Sequence, residues 1–384
     1  MPYFRDSPGT GIPICQVRNI FVAKPKISVV MSVYNGSSYL PEAVESILKQ
    51  TYSHFEFIII DDGSVDNTWE ILLDYATQDQ RIALYRNEKN IGLTKSLNKG
   101  LRLAKGDYIA RQDADDISLP ARLEEQLTYM ASHETVAMAC AGVQIISGSG
   151  KVLKTYTPPQ NPAVLRWQLL YRNPIRHATV IWRRQPIERY VGLYDPNFRF
   201  AQDYDLWVRI ANRFPIGVLP LVLVKYRTHA ESIYMTEAEH QDALAAQVTH
   251  RQIRRFFQSD QLTDNAIVTL RAVLRQRFVP QYQRLNDIDV VKFKQTSKHF
   301  LSLFQEFRAD SKSDNTVLRL HELHLEIESH LSDLIRHCRR QGWHKLGLEI
   351  LWSYLRHYPS RSMSVISRLM YRMVKKTKTN VRSG

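Results

Sequence analysis

Three carboxylates crowd into four positions of the sequence, at Asp113, Asp115 and Asp116. They follow an apolar run beginning at Tyr108, which is typical of a buried strand. Like charges this close repel one another, and each loses solvation when it leaves water. The cluster therefore indicates either a solvated turn or a site that attracts a cation. A divalent ion held by one or two carboxylates and completed by substrate phosphates, the usual mode for Mg²⁺, fits the end of a strand.

A calcium loop is excluded at this position. With Asp113 as the first ligand, such a loop needs an oxygen ligand at its fifth position and a glycine at its sixth. The sequence has Ile117 and Ser118 there. The cluster must therefore be explained in another way.

A second polar cluster, Asp61-Asp62-Gly63-Ser64, follows an apolar run over residues 55–60. One interpretation is a tight turn in which Asp66 or Asn67 caps the next helix. The other is a ligand site, because a carboxylate here can accept hydrogen bonds from a nucleobase or from ribose hydroxyls. Tyr34, in the loop after the first apolar run, can stack on a base, although a lone tyrosine more often serves packing. Both interpretations stay open.

Two further residue types suit catalysis. Asp203 lies where a loop enters a predicted helix, and a carboxylate there can accept a proton from a substrate hydroxyl. For its neighbour Asp205 we favour compensation of the helix N-terminus. His229 follows another apolar run, and at a strand exit it can serve structure or bind phosphate or metal.

Strands and helices alternate through the first hundred residues. Strands are predicted over 27–33, 55–60 and 82–86, and helices over 39–50, 68–76 and 93–104. This order favours a parallel, doubly wound sheet. Ligands bind such sheets at the carboxyl ends of the strands, so the polar clusters at 34–36, 61–68 and 113–116 should converge on one crevice.

The following segments extend this α/β pattern. A hairpin is predicted over 143–156, a strand over 178–184 and a helix over 203–213. From about Glu237 the pattern is helical, and Gly342 marks the turn of a helix pair. We therefore expect an N-terminal lead (1–25), an α/β domain (26–236) and a helical, basic C-terminal region (237–384).

The 384-residue sequence has the composition of an ordinary globular protein, with 44% hydrophobic and 23% charged residues. The three cysteines are widely spaced and odd in number, which favours a reducing compartment. The sequence has neither the roughly 18-residue apolar run of a membrane span nor the layout of a signal peptide at its start. We therefore expect a cytoplasmic protein.

The net charge of +14 is unevenly distributed. Residues 251–384 hold 25 Lys and Arg against 12 Asp and Glu, whereas residues 1–250 hold 27 against 26. Residues 360–384 contain seven basic and no acidic residues, with Met, Ile and Leu at helical spacing. This pattern predicts a basic amphipathic helix. Such a helix could bind the anionic inner face of a membrane peripherally, or it could dock on the protein's own domain.

Three stretches of this chain, taken together and in order, resemble family 2 glycosyltransferases of the GT-A fold. They are ISVVMSVYNGSSYLPEAVESILKQTYSHFEFIIIDDGSVDNT, NIGLTKSLNKGLRLAKGDYIARQDADDISLPARLEEQ and FAQDYDLWVRI, and the resemblance covers residues 25–235. It implies a mixed doubly wound sheet with helices on both faces. It also implies inverting transfer of a sugar from a nucleotide-diphosphate sugar to a glycan or lipid-linked acceptor, with Mg²⁺ or Mn²⁺.

The resemblance also implies roles for individual residues. The list of site residues is Ser32, Tyr34, Asp62 and Asp113 for the donor, Asp115 and His229 for the metal, and Asp203 as catalytic base. One departure is Gln202, where the family usually has glutamate, so acceptor binding is expected to differ. The Gln-x-x-Arg-Trp element of processive synthases is absent from the sequence, which argues against polymer extrusion.

Two other functions compete with this interpretation. A sugar nucleotidyltransferase would share the sheet and the metal, but it would normally carry a glycine-rich loop after the first strand, where this chain has YNGSSYL. A nucleic-acid-binding protein is suggested by the isoelectric point of about 9.6. The confinement of the excess charge to the C-terminal part argues against it, and we expect no nucleic-acid partner.

Overall fold

A computed structural model describes residues 26–230, 232, 236–257, 262–275, 289–310 and 317–359. The predicted lead (1–25) and the basic segment (360–384) lie outside this range. The chain forms two compact units: one runs up to Pro158 and includes Ile175–Ala238, and the other combines Pro159–Pro174 with the chain from Glu239 onward. Residues 159–174 thus pack with the C-terminal helices, although they fall within the predicted 26–236 domain.

The first unit is built on one mixed sheet. Its strands are β1 (Ile27–Val33), β2 (Phe55–Asp61), β3 (Ile82–Arg86), β4 (Tyr108–Arg111), β5 (Ile117–Ser118), β6 (Met138–Ser147), β7 (Val152–Tyr156), β8 (Ile181–Arg183) and β9 (Ile216–Thr228). The strand order is β3-β2-β1-β4-β8-β6-β9-β5, with β7 on β6. The pairs among β1 to β4 are parallel, as is β6 with β9, and the other pairs are antiparallel.

Helices cover both faces of this sheet. They are α1 (Leu40–Leu48), α2 (Thr68–Gln78), α3 (Leu93–Leu103), α4 (Arg122–Ser132), α6 (Arg184–Tyr190) and α7 (Gln202–Ala211). All seven residues of β1 are buried, and alternate residues point to opposite faces. Met31 shares a core with α1, whereas Val30 lies directly against Gly100 of α3, where an added Cβ would stand 2.7 Å from its side chain. The predicted mixed sheet with helices on both faces is confirmed.

One strand prediction is wrong in extent. The segment predicted as a strand over 178–184 begins as a single 3₁₀ turn at His177–Thr179, and β8 is confined to three residues before α6. A short apolar run is buried in a turn as well as in a strand, so its periodicity does not distinguish them. The predicted hairpin over 143–156 is confirmed by the antiparallel pairing of β6 and β7.

The second unit is helical. It contains α5 (Pro162–Gln168), α8 (Ala238–Arg254), α9 (Asp264–Arg275), α10 (Val290–Asp310), α11 (Val317–Arg340) and α12 (His344–His357). Trp167 of α5 is fully buried, with Phe300, Phe304 and Phe307 packed edge-on around it at centroid distances of 5.2–6.2 Å. Gly342, at φ +75°, makes the predicted turn between α11 and α12. Within the described ranges, every helix is too short or too polar to cross a bilayer.

Candidate active site

The loops after β1 and β2 leave the same edge of the sheet and are joined by hydrogen bonds. The amide of Asn35 donates to Ser64 Oγ over 3.0 Å, and the amide of Val65 donates back to Asn35 Oδ1 over 2.9 Å. Asn35 has φ 49°, a left-handed conformation that asparagine tolerates better than most residues. Because β4 is the other neighbour of β1, the acidic loop that follows β4 leaves the same edge.

Asp62 is buried at this edge and already holds a loop. Its carboxylate accepts hydrogen bonds from Asn87 Nδ2 over 2.8 Å, from the amide of Ile91 over 3.0 Å and from the amide of Gly92 over 2.9 Å. A carboxylate has about four acceptor positions, so about one stays available to a ligand. Among the other predicted donor residues, Ser32 is buried in β1 and Tyr34 is 47% exposed.

Buried arginines supply the positive charge that the acidic loop requires. The Arg111 side chain is fully buried and forms an ion pair with Asp113. Arg122, also buried, donates to the Arg111 carbonyl over 2.7 Å and to the Gln112 side chain over 3.1 Å. Burial, reinforced by Arg111, lowers the pKa of Arg122 to about 9. The acidic loop is thus held by buried arginines and is not a freely solvated turn.

A buried histidine and tyrosine extend this network. His177 Nε2 accepts a hydrogen bond from Arg111 Nε over 3.1 Å and lies 2.8 Å from the Tyr194 hydroxyl oxygen. Burial, with a contribution from Arg111, lowers the pKa of His177 to about 3, so its ring is neutral. Burial raises the pKa of Tyr194, and both Asp203 and Asp113 raise it further. The predicted base and the acidic loop therefore act electrostatically on one hydroxyl group.

Asp115 and His229, predicted as a metal pair, are in contact. His229 Nε2 lies 3.1 Å from Asp115 Oδ2, and the two side chains are 14% and 33% exposed. They meet because β5, directly after the acidic loop, pairs with β9, which leads to His229. The ring of Tyr39 lies against His229 at a centroid distance of 4.7 Å.

Arg227, at the end of β9, links this pair to the rest of the edge. Its side chain donates to the Asp115 carbonyl over 3.0 Å and to Glu42 over 2.7 Å, and its guanidinium lies 4.7 Å from the centre of the Tyr39 ring. Its amide donates to Asp116 Oδ1 over 2.8 Å. This one buried side chain orders the backbone of the acidic loop.

The acidic loop concentrates negative charge in a largely buried position. Burial, and then the charge of Asp113, raises the pKa of Asp115, and burial raises that of Asp116 still more strongly. Asp116 Oδ2 is buried and has no hydrogen-bond partner. Among the described residues, no group of three or more His, Cys, Asp or Glu side chains could hold a metal ion. The pair of Asp115 and His229 fits an ion whose remaining ligands come from substrate phosphates.

Asp203 lies in the first turn of α7. The residue before this helix, Ala201, has φ 59° and ψ 21°, a left-handed conformation that costs an alanine about 1–2 kcal/mol. The approach to α7 is anchored on α3, because Asn98 exchanges hydrogen bonds of 2.8 and 3.1 Å with the backbone of Tyr194. Asp203 is half-buried and accepts the amide of Tyr204 over 2.7 Å. Asp205, by contrast, is buried and forms an ion pair with Arg209 over 2.8 Å.

The structure thus brings Asp115 to His229 and holds Asp62 in a neighbouring loop. Sequence reasoning missed the residues that support them, which are Arg111, Arg122, His177, Tyr194, Tyr39 and Arg227. The available signals were weak: Arg111 precedes the acidic loop, and Arg227 lies two positions before His229.

Comparison with known proteins identifies the family of this chain. The sequence model described as "Glycosyl transferase family 2" matches residues 28–190. The uncharacterized glycosyltransferase MJ1057 of Methanocaldococcus jannaschii is 34% identical over 222 residues, covering 57% of this chain and 76% of that protein. The O-antigen biosynthesis glycosyltransferase WbnJ of Escherichia coli is 36% identical over 213 residues, covering 54% and 81%.

The fold is also shared with a solved structure. S. aureus TarS 1-349, in complex with UDP-GlcNAc, superposes with a TM-score of 0.54 at 17% identity, covering 86% of this chain and 92% of that one. The mixed sheet described above is therefore of the GT-A type. With the family match and two relatives of which most of the length is covered, this chain belongs to glycosyl transferase family 2 and is a sugar-transferring enzyme.

Proposed function

We propose that this protein transfers a sugar, with inversion, from a nucleotide-diphosphate sugar to an acceptor hydroxyl, using a divalent cation and Asp203 as base. The observation that carries the proposal is the contact between Asp115, in the loop after β4 that also holds Asp113, and His229, just after β9, in a family 2 chain. The carboxyl ends of β4 and β9 lie at the same edge of the sheet, with β8 and β6 between the two strands. Ligands of open α/β sheets bind at such edges.

The donor's nucleoside is assigned to the edge formed by β1, β2 and β4. Tyr34 exposes enough of its ring for a base to stack on. Asp62, buried and fixed by three N–H donors, has about one acceptor position left for a base N–H or a ribose hydroxyl. Ser32 lies in the neighbouring strand, and Asp113, fixed by Arg111, is assigned to the ribose or the sugar.

The diphosphate is assigned to Asp115 and His229 with Mg²⁺ or Mn²⁺. When bound, such an ion neutralises the charge that develops on the departing diphosphate. The chain's own contribution is to hold both ligands in place through Arg227 and Tyr39. The buried, partly uncompensated carboxylates of the acidic loop favour a cation there.

Asp203 is assigned as the base that accepts the proton of the acceptor hydroxyl. As the acceptor oxygen bonds to the anomeric carbon, the bond from that carbon to the diphosphate breaks, and the proton moves to Asp203. The start of α7 and the amide of Tyr204 keep this side chain oriented. Attack from the side opposite the departing diphosphate inverts the anomeric centre.

The acceptor is proposed to be a glycan or lipid-linked precursor of a surface polysaccharide. WbnJ is named for O-antigen biosynthesis, and the amylovoran biosynthesis glycosyltransferase AmsE of Erwinia amylovora is 32% identical over 209 residues, covering 54% of this chain and 77% of AmsE. Such acceptors present hydroxyl groups, which the proposed base requires. A cytoplasmic location is proposed with this assignment.

A panel of nucleotide sugars tests the proposal through thermal unfolding and release of nucleoside diphosphate. We expect one donor class to raise the melting temperature only when Mn²⁺ or Mg²⁺ is present, because binding to the folded state alone stabilises it. Asp115→Asn should abolish this metal dependence. Asp107→Asn, which alters an exposed carboxylate paired with Lys26 over 3.1 Å, is the matched control.

Two results would contradict the proposal. If a nucleoside triphosphate together with a sugar phosphate protected the protein, and pyrophosphate rather than nucleoside diphosphate were released, the enzyme would be a nucleotidyltransferase. Protection that was the same in Asp115→Asn and in the wild type would remove Asp115 from the metal site.

A further inference from the structure

The last helix that the structure describes in the second unit leaves two large apolar side chains exposed. On one side of α12, Leu346, Ile350 and Tyr354 are buried in the core of that unit. On another side, Leu348 is 58% exposed and Trp352 is 66% exposed. These two residues are four positions apart, so they lie side by side on the helix surface.

The exposure of Trp352 is unusual within this protein. Trp167, Trp182 and Trp207 are among the largest fully buried side chains, so the fold buries tryptophan where it can. Leu348 and Trp352 line a shallow groove of about 300 Å³ together with Lys345, Glu349, Ser353 and Arg356. We call these six residues the α12 face.

Basic side chains surround this apolar centre. Lys345 and Arg356 lie at its two ends, and Lys294 of α10 reaches it through an ion pair of 2.7 Å with Glu349. A hydrogen bond from Lys294, with the charges of Lys345 and Lys298, lowers the pKa of Glu349, so the one acidic residue of the face remains ionised among cations. The face therefore combines an apolar centre with net positive charge.

We propose that the α12 face docks on an anionic lipid bilayer, with Trp352 and Leu348 at the boundary between headgroups and acyl chains. Tryptophan favours that depth, and an aliphatic neighbour gains from hydrocarbon. Lysine and arginine at the rim then lie near lipid phosphates. The charge of the C-terminal sequence also favours an anionic surface, since residues 251–384 carry 25 Lys and Arg against 12 Asp and Glu.

Two other occupants fit the face less well. A second copy of this chain, packed through the same face in a two-fold contact, would oppose like basic charges. A glycan would stack on Trp352, but it would leave the exposed Leu348 without an apolar partner. The bilayer matches both the apolar centre and the basic rim.

Fluorescence of the full chain with brominated lipids tests the proposal directly. Vesicles of phosphatidylcholine with phosphatidylglycerol, brominated near the headgroup end of the acyl chains, are compared with vesicles of phosphatidylcholine alone. We expect the anionic vesicles to quench part of the tryptophan emission, and Trp352→Phe to lose that quenched part. Binding should weaken with added salt, because exposed charges are screened.

A second pair of variants measures binding itself. Leu348→Ser and Trp352→Ser should each reduce the partition coefficient onto anionic vesicles by about tenfold, because each removes an apolar side chain from the lipid boundary. Val268→Ser is the matched control, since Val268 is 49% exposed on α9 of the same unit and lies outside the face. It should leave partitioning unchanged.

Three outcomes would overturn the proposal: no binding to anionic vesicles, equal bromine quenching in the wild type and Trp352→Phe, or partitioning that the two serine variants leave unchanged. A Trp352 emission that responds to a soluble anionic polysaccharide but not to vesicles would assign the face to a glycan instead. Sugar transfer is not measured in these experiments, so their result is independent of the proposed catalysis.

Discussion

The two units of this protein differ in where they place buried charge. The first unit buries charged side chains at the edge of its sheet, and these are Arg111, Arg122, Arg227 and Asp116. Hydrogen bonds join Arg122 to the Arg111 carbonyl and the Arg227 amide to Asp116. The second is built on an aromatic core around Trp167. Its buried charged side chains lie on different helices, with Arg271 on α9 and Glu328 on α11. Buried ion networks add little net stability but hold a defined geometry, whereas apolar burial adds stability directly. The first unit thus concentrates its buried charge at the edge of the sheet where ligands of open α/β sheets bind.

Asp203→Asn should produce the largest effect and tests the chemistry of the first unit. General base catalysis contributes about 10²–10⁴-fold, so turnover should fall by about that factor, with little change in donor affinity. Initial rates and donor dissociation constants measure the two quantities separately. Glu188→Gln, which alters an exposed carboxylate on α6, is the control. Near-normal turnover in Asp203→Asn would assign the base elsewhere.

Trp167→Ala tests the other side of the comparison. The variant removes a buried indole that packs against Phe300 and Phe304, so the free energy of unfolding of the second unit should fall by about 3–5 kcal/mol. Donor affinity in the first unit should change little if the two units are organised independently. Chemical denaturation and donor titration at low temperature measure these effects. A large loss of donor affinity without loss of stability would contradict the comparison.

Arg227→Lys sharpens the comparison within the first unit. Lysine keeps the charge but loses the planar set of donors that reaches the Asp115 carbonyl, Gly148 and Glu42. Loss of an outer partner of a metal ligand typically costs about 10–100-fold in metal affinity. The Mn²⁺ concentration that half-saturates donor binding should rise by about that factor. Glu42→Gln, which keeps an acceptor, should have a smaller effect, and equal effects would argue against geometric positioning by Arg227.

The fold was more predictable from the sequence than the site was. The runs that become β1 and β2 are almost wholly buried and apolar, so their predicted bounds agree with the structure within one residue. The strand predicted over 178–184 was too long, because the buried 3₁₀ turn that precedes β8 has the same apolar composition. Local pattern therefore identified β1 and β2, but it did not distinguish a short buried turn from a strand.

The site depends on contacts that no local pattern contains. Arg227 reaches the acidic loop across 111 positions, and Arg111 reaches His177 across 66. The acidic residues themselves were recognisable, because several carboxylates after an apolar run are unusual. Their partners are ordinary residues that acquire a role only when β9 pairs with β5 and β4 pairs with β8. The pairing of Asp115 with His229 came from family resemblance rather than from spacing.

A fall in pH should destabilise the first unit through His177. Of the four predicted effects, this one should be the smallest. The ordinary pKa of histidine is about 6.5, and burial beside Arg111 lowers that of His177 to about 3. Between these values the unfolded chain binds a proton that the folded chain does not, so stability falls as the pH drops from about 6.5 toward 3. At pH 5.5 the loss from this residue is about 1 kcal/mol relative to neutral pH.

His177→Gln isolates this contribution, because glutamine can still accept a hydrogen bond but does not titrate. Denaturation of both proteins at pH 7.5 and pH 5.5 gives the difference directly, and groups common to both cancel. The variant should be less stable at pH 7.5 and should lose less stability on acidification. An equal loss in both proteins would mean that His177 is already protonated in the folded state, and the neutral ring between Arg111 and Tyr194 would then be wrong.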